Sequence, residues 1–282
     1  MNVQRIAAFS DRELGGNPAG VVICGVLPDA MVMQAVAAQV GYSETAFAAP
    51  IDEGWRVRYF APETEVPFCG HATIALGAAL ALEHGDGVFA LLLNHANITV
   101  EGRREGTMIA AALQSPPTRS EPAKPRLITD ALALFSYSED DLDQRIPPAI
   151  ANAGARHLVL ALNSRQRLSA MNYDLAAGRA LMNEAGLVTI ILAYAEAPQL
   201  FHTRNPFASG GVYEDPATGA ATAAFAGYLR DLNWPHGGAI NIVQGEDMGM
   251  RSCLRAEIPP TLGATIRVSG TARLMQPEPS PA

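Results

Sequence analysis

Two alanine-rich segments decide the fold, VPFCGHATIALGAALALEH (66–84) and YEDPATGAATAAFAGYLRD (213–231). Each has a proline upstream, then a glycine close to a threonine, then a run nearly free of charge until its last turn. A helix that is apolar on every face must be buried on every face, and small residues let strands approach it closely. The pair predicts two similar domains, each with a sheet around one central helix, unless the likeness of two alanine-rich helices is a coincidence.

The length and composition of the chain agree with two domains. The chain has 282 residues, of which 49% are hydrophobic, and this supports cores of ordinary size. Short strand patterns surround the two helices, which indicates a mixed α+β fold. The proline-rich stretch at 115–126 is the best linker candidate. We therefore predict an N-terminal domain of residues 1–115, completed by a C-terminal strand at about 270–282, and a second domain of residues 116–269.

Charge and cysteine content exclude several classes of protein. Lys and Arg total 20 against 28 Asp and Glu, so the formal net charge is −8, and a basic face for nucleic acid is not expected. Three widely separated cysteines are typical of reduced thiols. With no export signal and no apolar run of about 20 residues, we expect a cytoplasmic protein with no membrane partner.

The first turns of the two buried helices are candidate anion sites. A helix N-terminus exposes unpaired N–H groups and a partial positive charge, which suits a carboxylate or a phosphate. Gly70 and Gly219 stand at these positions and would let a ligand approach the backbone. If the two domains face each other, both helix ends can point into one interdomain cleft. The alternative is that these glycines only relieve crowding at the start of a buried helix.

Three titratable residues lie beside these segments. Gly41 is well placed to end a helix that runs from Pro28 or Asp29 to about Val40, and Glu44 follows it. His71 opens the first buried helix, and Asp215 precedes the second. Together they would form an acid–base set for proton transfer. Separately, Glu44 suits an exposed loop tip, His71 suits capping or packing, and Asp215 suits an N-cap.

Other chemistries find little support. Cys69 and His71 form the one tight pair of metal-ligand types, and no HExxH motif occurs, so we predict no metal. The segment GGNPAG (15–20) predicts a turn, and because it lacks the pattern of a phosphate loop or a dinucleotide fingerprint, a nucleotide site is not expected. Cys69 at a helix N-terminus could be an activated thiolate, but no second cysteine stands at the matching position of the other segment.

Taken together, the motifs resemble those of the PhzF family, the phenazine-biosynthesis-like isomerases that share the diaminopimelate epimerase fold. Four segments match the family in order, and a fifth matches more weakly. They are GNPAGVV (16–22), SETAF (43–47), RYFAPETEVPFCGHATIALGAAL (58–80), GGVYEDPATGAATAAFAGYL (210–229) and the weaker QGEDMG (244–249).

The resemblance implies two similar domains, each a mixed β-sheet rolled into a barrel around a central α-helix, with the active site between them. It implies a homodimer without cofactor or metal, in which Glu44 shuttles a proton while His71 and Asp215 orient the substrate. The residues that it assigns to binding a carboxylate substrate are Asn17, Ser43, Gly70, His71, Thr218, Gly219 and Ala220. At position 220 many relatives have Ser, so a hydroxyl that can contact substrate is missing here.

The sequence therefore predicts a cofactor-independent isomerase that moves a proton within a small, carboxylate-bearing metabolite. A second hypothesis is an amino-acid racemase or epimerase that uses Cys69 with a partner other than a thiol. A third is a protein that binds small acids and has lost the chemistry.

Overall fold

The computed structural model of the chain describes residues 1–106 and 108–275, so the predicted C-terminal strand falls outside the described residues from position 276 onward. Within this part, the helices are α1 (Ala30–Val40), α2 (Gly70–His84), α3 (Pro125–Leu134), α4 (Arg165–Ser169), α5 (Leu175–Ala185) and α6 (Gly219–Asp231). The strands are β1 (Gln4–Ser10), β2 (Asn17–Ile23), β3 (Thr45–Ile51), β4 (Gly54–Phe60), β5 (Glu65–Val66), β6 (Gly87–Leu92), β7 (Asn97–Glu105), β8 (Met108–Gln114), β9 (Arg119–Pro122), β10 (Ala149–Asn152), β11 (Arg156–Leu162), β12 (Thr189–Ala197), β13 (Leu200–Phe207), β14 (Val212–Asp215), β15 (Ala239–Gln244), β16 (Ser252–Glu257) and β17 (Arg267–Leu274).

The chain divides into two compact units. The first unit contains Met1–Gln114 and the C-terminal segment that begins at Ser269, and the second unit contains Ser115–Val268. Each unit has its own cluster of buried apolar side chains. Among the described residues, no helix combines the length and the apolar character needed to cross a membrane.

The first unit is a mixed sheet around α2. β2 runs antiparallel to β1 and parallel to β3, and the order continues through β4, β6, β7 and β8 with parallel pairing between β4 and β6. β17, most of which belongs to this unit, pairs antiparallel with β1 and also pairs with β8, so the strand order returns to its start. α2 packs against β1, β2, β7 and β8 in the middle of this arrangement.

Small residues bring α2 into backbone contact with the sheet. Every residue from His71 to Ala81 is buried, as the all-apolar pattern predicts. A Cβ added to Gly102 in β7 would lie 2.2 Å from the carbonyl oxygen of Gly77 in α2. A Cβ on Gly77 would in turn lie 2.5 Å from Val100. At Gly77 and Gly102, the space between α2 and β7 is therefore too narrow for any residue that has a side chain.

The second unit surrounds α6 in a similar way. Its sheet order is β9-β10-β11-β12-β13-β15-β16, with parallel pairs between β11 and β12 and between β13 and β15. β14 adds to β13 as a short antiparallel strand. α6 packs against β9, β10 and β16, and a Cβ on its Gly227 would lie 2.6 Å from Thr118. Close approach again depends on a residue without a side chain.

Two sequence predictions about loops differ from the structure. The stretch at 115–126 contains β9, which pairs with β10, and its Pro125 begins α3, where a missing N–H removes no helical bond. The segment GGNPAG is a turn only at its two leading glycines, which have positive φ values, because β2 already begins at Asn17. Proline and glycine content was a poor guide at both places because paired strands contain these residues.

The contact between Gly102 and Gly77 generates a stability prediction. Gly102→Ala forces a methyl group against backbone that cannot move without displacing α2, so the free energy of unfolding should fall by about 1–3 kcal/mol. Chemical denaturation measures it. The matched control is Gly87→Ala in β6, whose added Cβ would lie 3.8 Å from its nearest neighbour and should change the value by less than about 0.5 kcal/mol. Equal effects of the two substitutions would contradict the packing argument.

A buried histidine generates a pH prediction. His157 in β11 is fully buried, its Nδ1 lies 2.8 Å from Thr189 Oγ1, and burial lowers its pKa to about 4. The unfolded chain, with a pKa near 6.5, takes up the proton first as pH falls, so the folded state loses stability below pH 6.5. Between pH 7.5 and pH 5 this loss should amount to about 2 kcal/mol.

The control for this prediction is His157→Asn, which keeps a polar group in reach of Thr189 but does not titrate. Chemical denaturation at both pH values should show that the free energy of unfolding of the natural chain falls more steeply than that of the variant. Parallel pH dependences would show that the pKa of His157 in the folded chain is not lowered, so that the folded chain also binds the proton by pH 5.

Candidate active site

The loop between α1 and β3 carries the first group of candidate residues. Gly41 ends α1 in the left-handed conformation, with a φ of 74°, as its position predicts. Ser43 and Glu44 follow, and the carbonyl oxygen of Glu44 accepts a hydrogen bond from the N–H of Gly20 in β2 at 3.2 Å. The backbone of Glu44 is therefore held by the sheet, and its side chain is not at a loop tip, since it is only 14% exposed.

The start of α2 is held by buried hydroxyl groups. Cys69 is the N-cap residue, and its carbonyl oxygen accepts hydrogen bonds from both the N–H and the Oγ1 of Thr73, at 3.0 and 2.7 Å. The Tyr59 hydroxyl contacts Thr73 Oγ1 at 2.7 Å, and burial raises the pKa of Tyr59, which keeps this hydroxyl neutral. These contacts fix the first turn, and with it the direction in which Cys69 and His71 project.

Three side chains meet at the imidazole of His71. Nε2 lies 3.4 Å from Oε2 of Glu44 and 3.3 Å from Oγ of Ser43, and Nδ1 lies 3.3 Å from Sγ of Cys69. His71 is buried, and Oε2 of Glu44 is buried without a hydrogen-bond partner among the described residues. A carboxylate oxygen in this state is available to accept a proton or a hydrogen bond from a bound molecule.

The second group of candidate residues lies at the start of α6. Asp215 ends β14, and its Oδ2 accepts a hydrogen bond from the Thr218 hydroxyl at 2.5 Å. Gln244 at the end of β15 donates to the carbonyl oxygen of Asp215 at 2.7 Å and to Thr218 Oγ1 at 3.0 Å, and accepts from the Thr218 N–H at 3.2 Å. The turn that precedes α6 is therefore fixed by one buried amide side chain.

A buried ion pair holds the strand before this turn. Arg204 in β13 donates through Nε to Glu214 at 3.0 Å and through Nη2 to its second oxygen, and both side chains are under 10% exposed. Nη1 of Arg204 also donates to the carbonyl oxygen of Ser169 at 2.9 Å. Because a bidentate pair constrains orientation as well as distance, it fixes the path of β14 up to Asp215.

The structure brings predicted site residues into contact within each of the two units. Within the first unit, Ser43, Glu44 and His71 are in contact, and Gly70 begins α2. Within the second unit, Asp215 and Thr218 are hydrogen-bonded, and Gly219 and Ala220 begin α6. Asn17 begins β2, where it is 2% exposed and pairs with Ala8.

Sequence reasoning missed Gln244, Arg204 and Tyr59. Gln244 belongs to the weakly matching segment QGEDMG, and a polar residue at the end of the apolar strand AINIV (239–243) was the available signal. Arg204 bonds to Glu214 and Tyr59 to Thr73, and no sequence motif links either pair. Spacing alone does not reveal such contacts.

One group of metal-ligand types occurs in the described part of the chain. The ligand atoms of Glu44, Cys69 and His71 all lie within 4.8 Å of one another. Two of the three, Glu44 and His71, also belong to the acid–base set that the sequence predicts.

The family model for phenazine biosynthesis-like proteins (PhzC-PhzF) matches residues 6–276. The chain belongs to the PhzF family. It is 32% identical over 275 residues to trans-2,3-dihydro-3-hydroxyanthranilate isomerase of Pseudomonas aeruginosa, with 94% of each chain covered. It is 31% identical to an uncharacterized isomerase of Mesorhizobium japonicum, with 94% of this chain and 93% of the relative covered. These matches place the chain among the isomerases.

The fold agrees with a solved structure of the family. The PhzF-family protein of Bacillus anthracis superposes with a TM-score of 0.85 at 19% identity, covering 97% of this chain and 96% of that one. The predicted family and the predicted α+β fold are both confirmed. The roles of individual residues stay predictions.

Gln244 generates a prediction about the turn before α6. The side chain of Gln244 is 1% exposed, and Gln244→Met keeps its volume. The substitution removes the hydrogen bonds of Gln244 to the Asp215 carbonyl oxygen and the Thr218 N–H, so the free energy of unfolding should fall by about 1–3 kcal/mol. The matched control is Gln199→Met, which removes one exposed hydrogen bond to Pro235 and should cost less than about 0.5 kcal/mol. Chemical denaturation that gave similar losses would show that Gln244 does not hold the turn.

Proposed function

We propose that this PhzF-family isomerase moves a proton within a small, carboxylate-bearing metabolite without a cofactor, and that Glu44 is its general acid and base. Glu44 takes a proton from an acidified carbon of the substrate and returns it at another carbon. The overall reaction is an isomerisation, because one proton leaves and one proton is added, and the carboxyl group of Glu44 can exchange its proton with solvent between the two steps.

The observation that carries this proposal is the state of the Glu44 carboxylate. Its Oε2 is buried, lacks a hydrogen-bond partner among the described residues and lies 3.4 Å from His71. Buried polar atoms are normally paired, so an exception beside titratable groups indicates a position that a ligand or a proton occupies during function.

The start of α2 offers a binding site for the carboxylate of the substrate. The first N–H groups of a helix have no partner within the helix and carry partial positive charge. At Gly70 the backbone has no side chain to shield them, so a substrate carboxylate can be bound there and negative charge that develops in the reaction can be stabilised. Ser43 and His71 then orient the reacting groups beside Glu44.

We assign Asp215 and the residues Thr218, Gly219 and Ala220 to substrate binding in the same reaction. The likeness of the segment EDPATG (214–219) to the family motif supports this assignment, and so does the hydrogen bonding that holds the Asp215 carboxylate. Neither a homodimer nor a cytoplasmic location follows from the geometry of the described residues, and both stay predictions.

The first compound to test is trans-2,3-dihydro-3-hydroxyanthranilate, which the Pseudomonas aeruginosa relative isomerises according to its name. Because Ala220 stands where many relatives have a serine, other small carboxylic acids belong in the same screen. Incubation in deuterium oxide, followed by mass spectrometry and NMR, detects a proton that has exchanged or moved.

Glu44→Gln should lower turnover by about 10²–10⁴-fold, since the amide keeps the shape of the side chain but cannot carry the proton. Affinity for the substrate should stay nearly unchanged in a binding titration. The matched control is Glu53→Gln, an exposed residue in the turn between β3 and β4, which should keep full turnover. Full activity in the Glu44 variant would remove Glu44 from the mechanism.

The two alternatives give different results in the same assay. If the protein is a racemase or epimerase that uses Cys69, Cys69→Ala abolishes deuterium exchange at the stereocentre of an amino acid, whereas the Glu44 mechanism predicts little loss. If the protein only binds small acids, binding saturates and no compound in the screen incorporates deuterium.

A further inference from the structure

The weakly matching segment QGEDMG opens a loop (245–251) that lies against the turn before α6. The loop follows β15, and its two glycines, Gly245 and Gly249, have positive φ values of 73° and 78°. A Cβ on Gly245 would lie 2.7 Å from the carbonyl oxygen of Pro216, so the backbone of the loop touches the backbone of the turn at this point.

Glu246 is the centre of a charged cluster that holds the 245–251 loop. Its Oε2 lies 2.9 Å from Nη2 of Arg165 at the start of α4 and 3.3 Å from Nδ1 of His202 in β13, and its Oε1 accepts a hydrogen bond from Nη1 of Arg251. Nη2 of Arg165 also donates to Oδ1 of Asp247 at 2.9 Å. The loop is therefore bonded to α4 and faces an imidazole of β13.

The cations around Glu246 keep its carboxylate ionised. Burial raises the pKa of Glu246, but the hydrogen bond from Arg165 and the charges of Arg251 and His202 outweigh this effect, so the pKa is lowered. An isolated ion pair at a surface contributes little, whereas several charges that form a network contribute more. Since the side chain of Arg165 is only 29% exposed, the network is partly shielded from solvent.

The position of this loop matters because the turn that it touches carries candidate binding residues. Asp215 and Thr218 lie on either side of Pro216, and both are bonded to Gln244, the residue that precedes the loop. A displacement of the loop would therefore move the amide that holds the turn and the backbone against which the turn packs. Residues that bind a substrate must be held to a fraction of an ångström, since small misplacements weaken binding and catalysis.

We propose that Glu246 is a positioning residue, which holds the 245–251 loop against Pro216 by means of the charged cluster. In this way it keeps Asp215 and Thr218 in the arrangement that binds the substrate, without touching the substrate itself. The statement about substrate rests on the proposed function, whereas the statement that Glu246 holds the turn does not.

Amide hydrogen exchange, followed by mass spectrometry, tests without any substrate whether Glu246 holds the turn. Glu246→Gln keeps the shape of the side chain and removes its charge, so the amides of the loop (245–251) and of the turn (216–222) should exchange about 10-fold faster. The matched control is Glu257→Gln, which removes the charge from an ion pair with Arg267 on β17 and should leave both segments unchanged. Unchanged exchange of the turn in Glu246→Gln would overturn the proposal.

Two glycine substitutions test the contact between the loop and the turn. Gly245→Ala and Gly249→Ala impose similar backbone strain, because both residues have a positive φ. The Cβ on Gly245 also meets the carbonyl oxygens of Pro216 and Met250, whereas no atom of the described residues lies within 4 Å of a Cβ on Gly249. Exchange at 216–222 should therefore be at least about 5-fold faster in Gly245→Ala than in Gly249→Ala. Equal exchange in the two variants would show that the loop does not hold the turn.

Turnover kinetics separate positioning from a merely structural role. With an acid that the natural chain isomerises, Glu246→Gln should raise KM about 10-fold and change kcat by less than about 2-fold, because Glu44 lies in the other unit. A structural role would reduce the amount of folded enzyme, which lowers the apparent kcat and leaves KM unchanged, and this result would refute positioning. If the natural chain turns over none of the screened acids, the proposed function fails, while amide exchange still decides whether Glu246 holds the turn.

Discussion

Each unit depends on a helix that is in close contact with its surroundings at a glycine. In the first unit the contact is between Gly77 and Gly102 of β7, and in the second it is between Gly227 and the side chain of Thr118, which precedes β9. Such contacts are possible only where a side chain is missing, so these positions determine how deeply each helix lies in its sheet. Since neither helix can slide without a clash at these contacts, the residue at which each helix begins is fixed as well. The candidate residues His71 and Asp215 lie at or just before those two starts.

The two helix starts are held by different chemistry. At α2 the Thr73 hydroxyl donates to the Cys69 carbonyl oxygen, and the Tyr59 hydroxyl contacts the Thr73 hydroxyl in turn. At α6 the amide of Gln244 holds both sides of the turn that follows Asp215. In both cases the residues that carry candidate chemistry are held by neighbours that carry none, and this rigidity is what positioning of a proton donor or acceptor requires.

The sequence predicted the parts of the fold that are encoded locally. The apolar pattern of α2 and α6 predicted complete burial, and Gly41 correctly marked the end of α1. The proline-rich stretch at 115–126 begins where the two units divide, but it is not an open linker throughout, because Pro122 and Pro125 lie in β9 and at the first position of α3. Glu44 and His71 could each be selected from sequence, but their 3.4 Å contact depends on how a loop packs against a helix, which sequence spacing does not show. Gln244 was missed for the same reason, because its bonds to the turn before α6 are tertiary contacts.

The contact between Glu44 and the start of α2 explains how one site could hold an anionic substrate and act on it. The first N–H groups of α2 carry partial positive charge, so they attract the carboxylate of a small acid. Oε2 of Glu44 is buried, lacks a hydrogen-bond partner among the described residues and lies 3.4 Å from Nε2 of His71 in the first turn of that helix. A molecule that binds by its carboxylate at the helix start would therefore bring its neighbouring carbon atoms beside the Glu44 side chain. The helix start would supply binding energy, and the loop between α1 and β3 would supply the group that moves the proton.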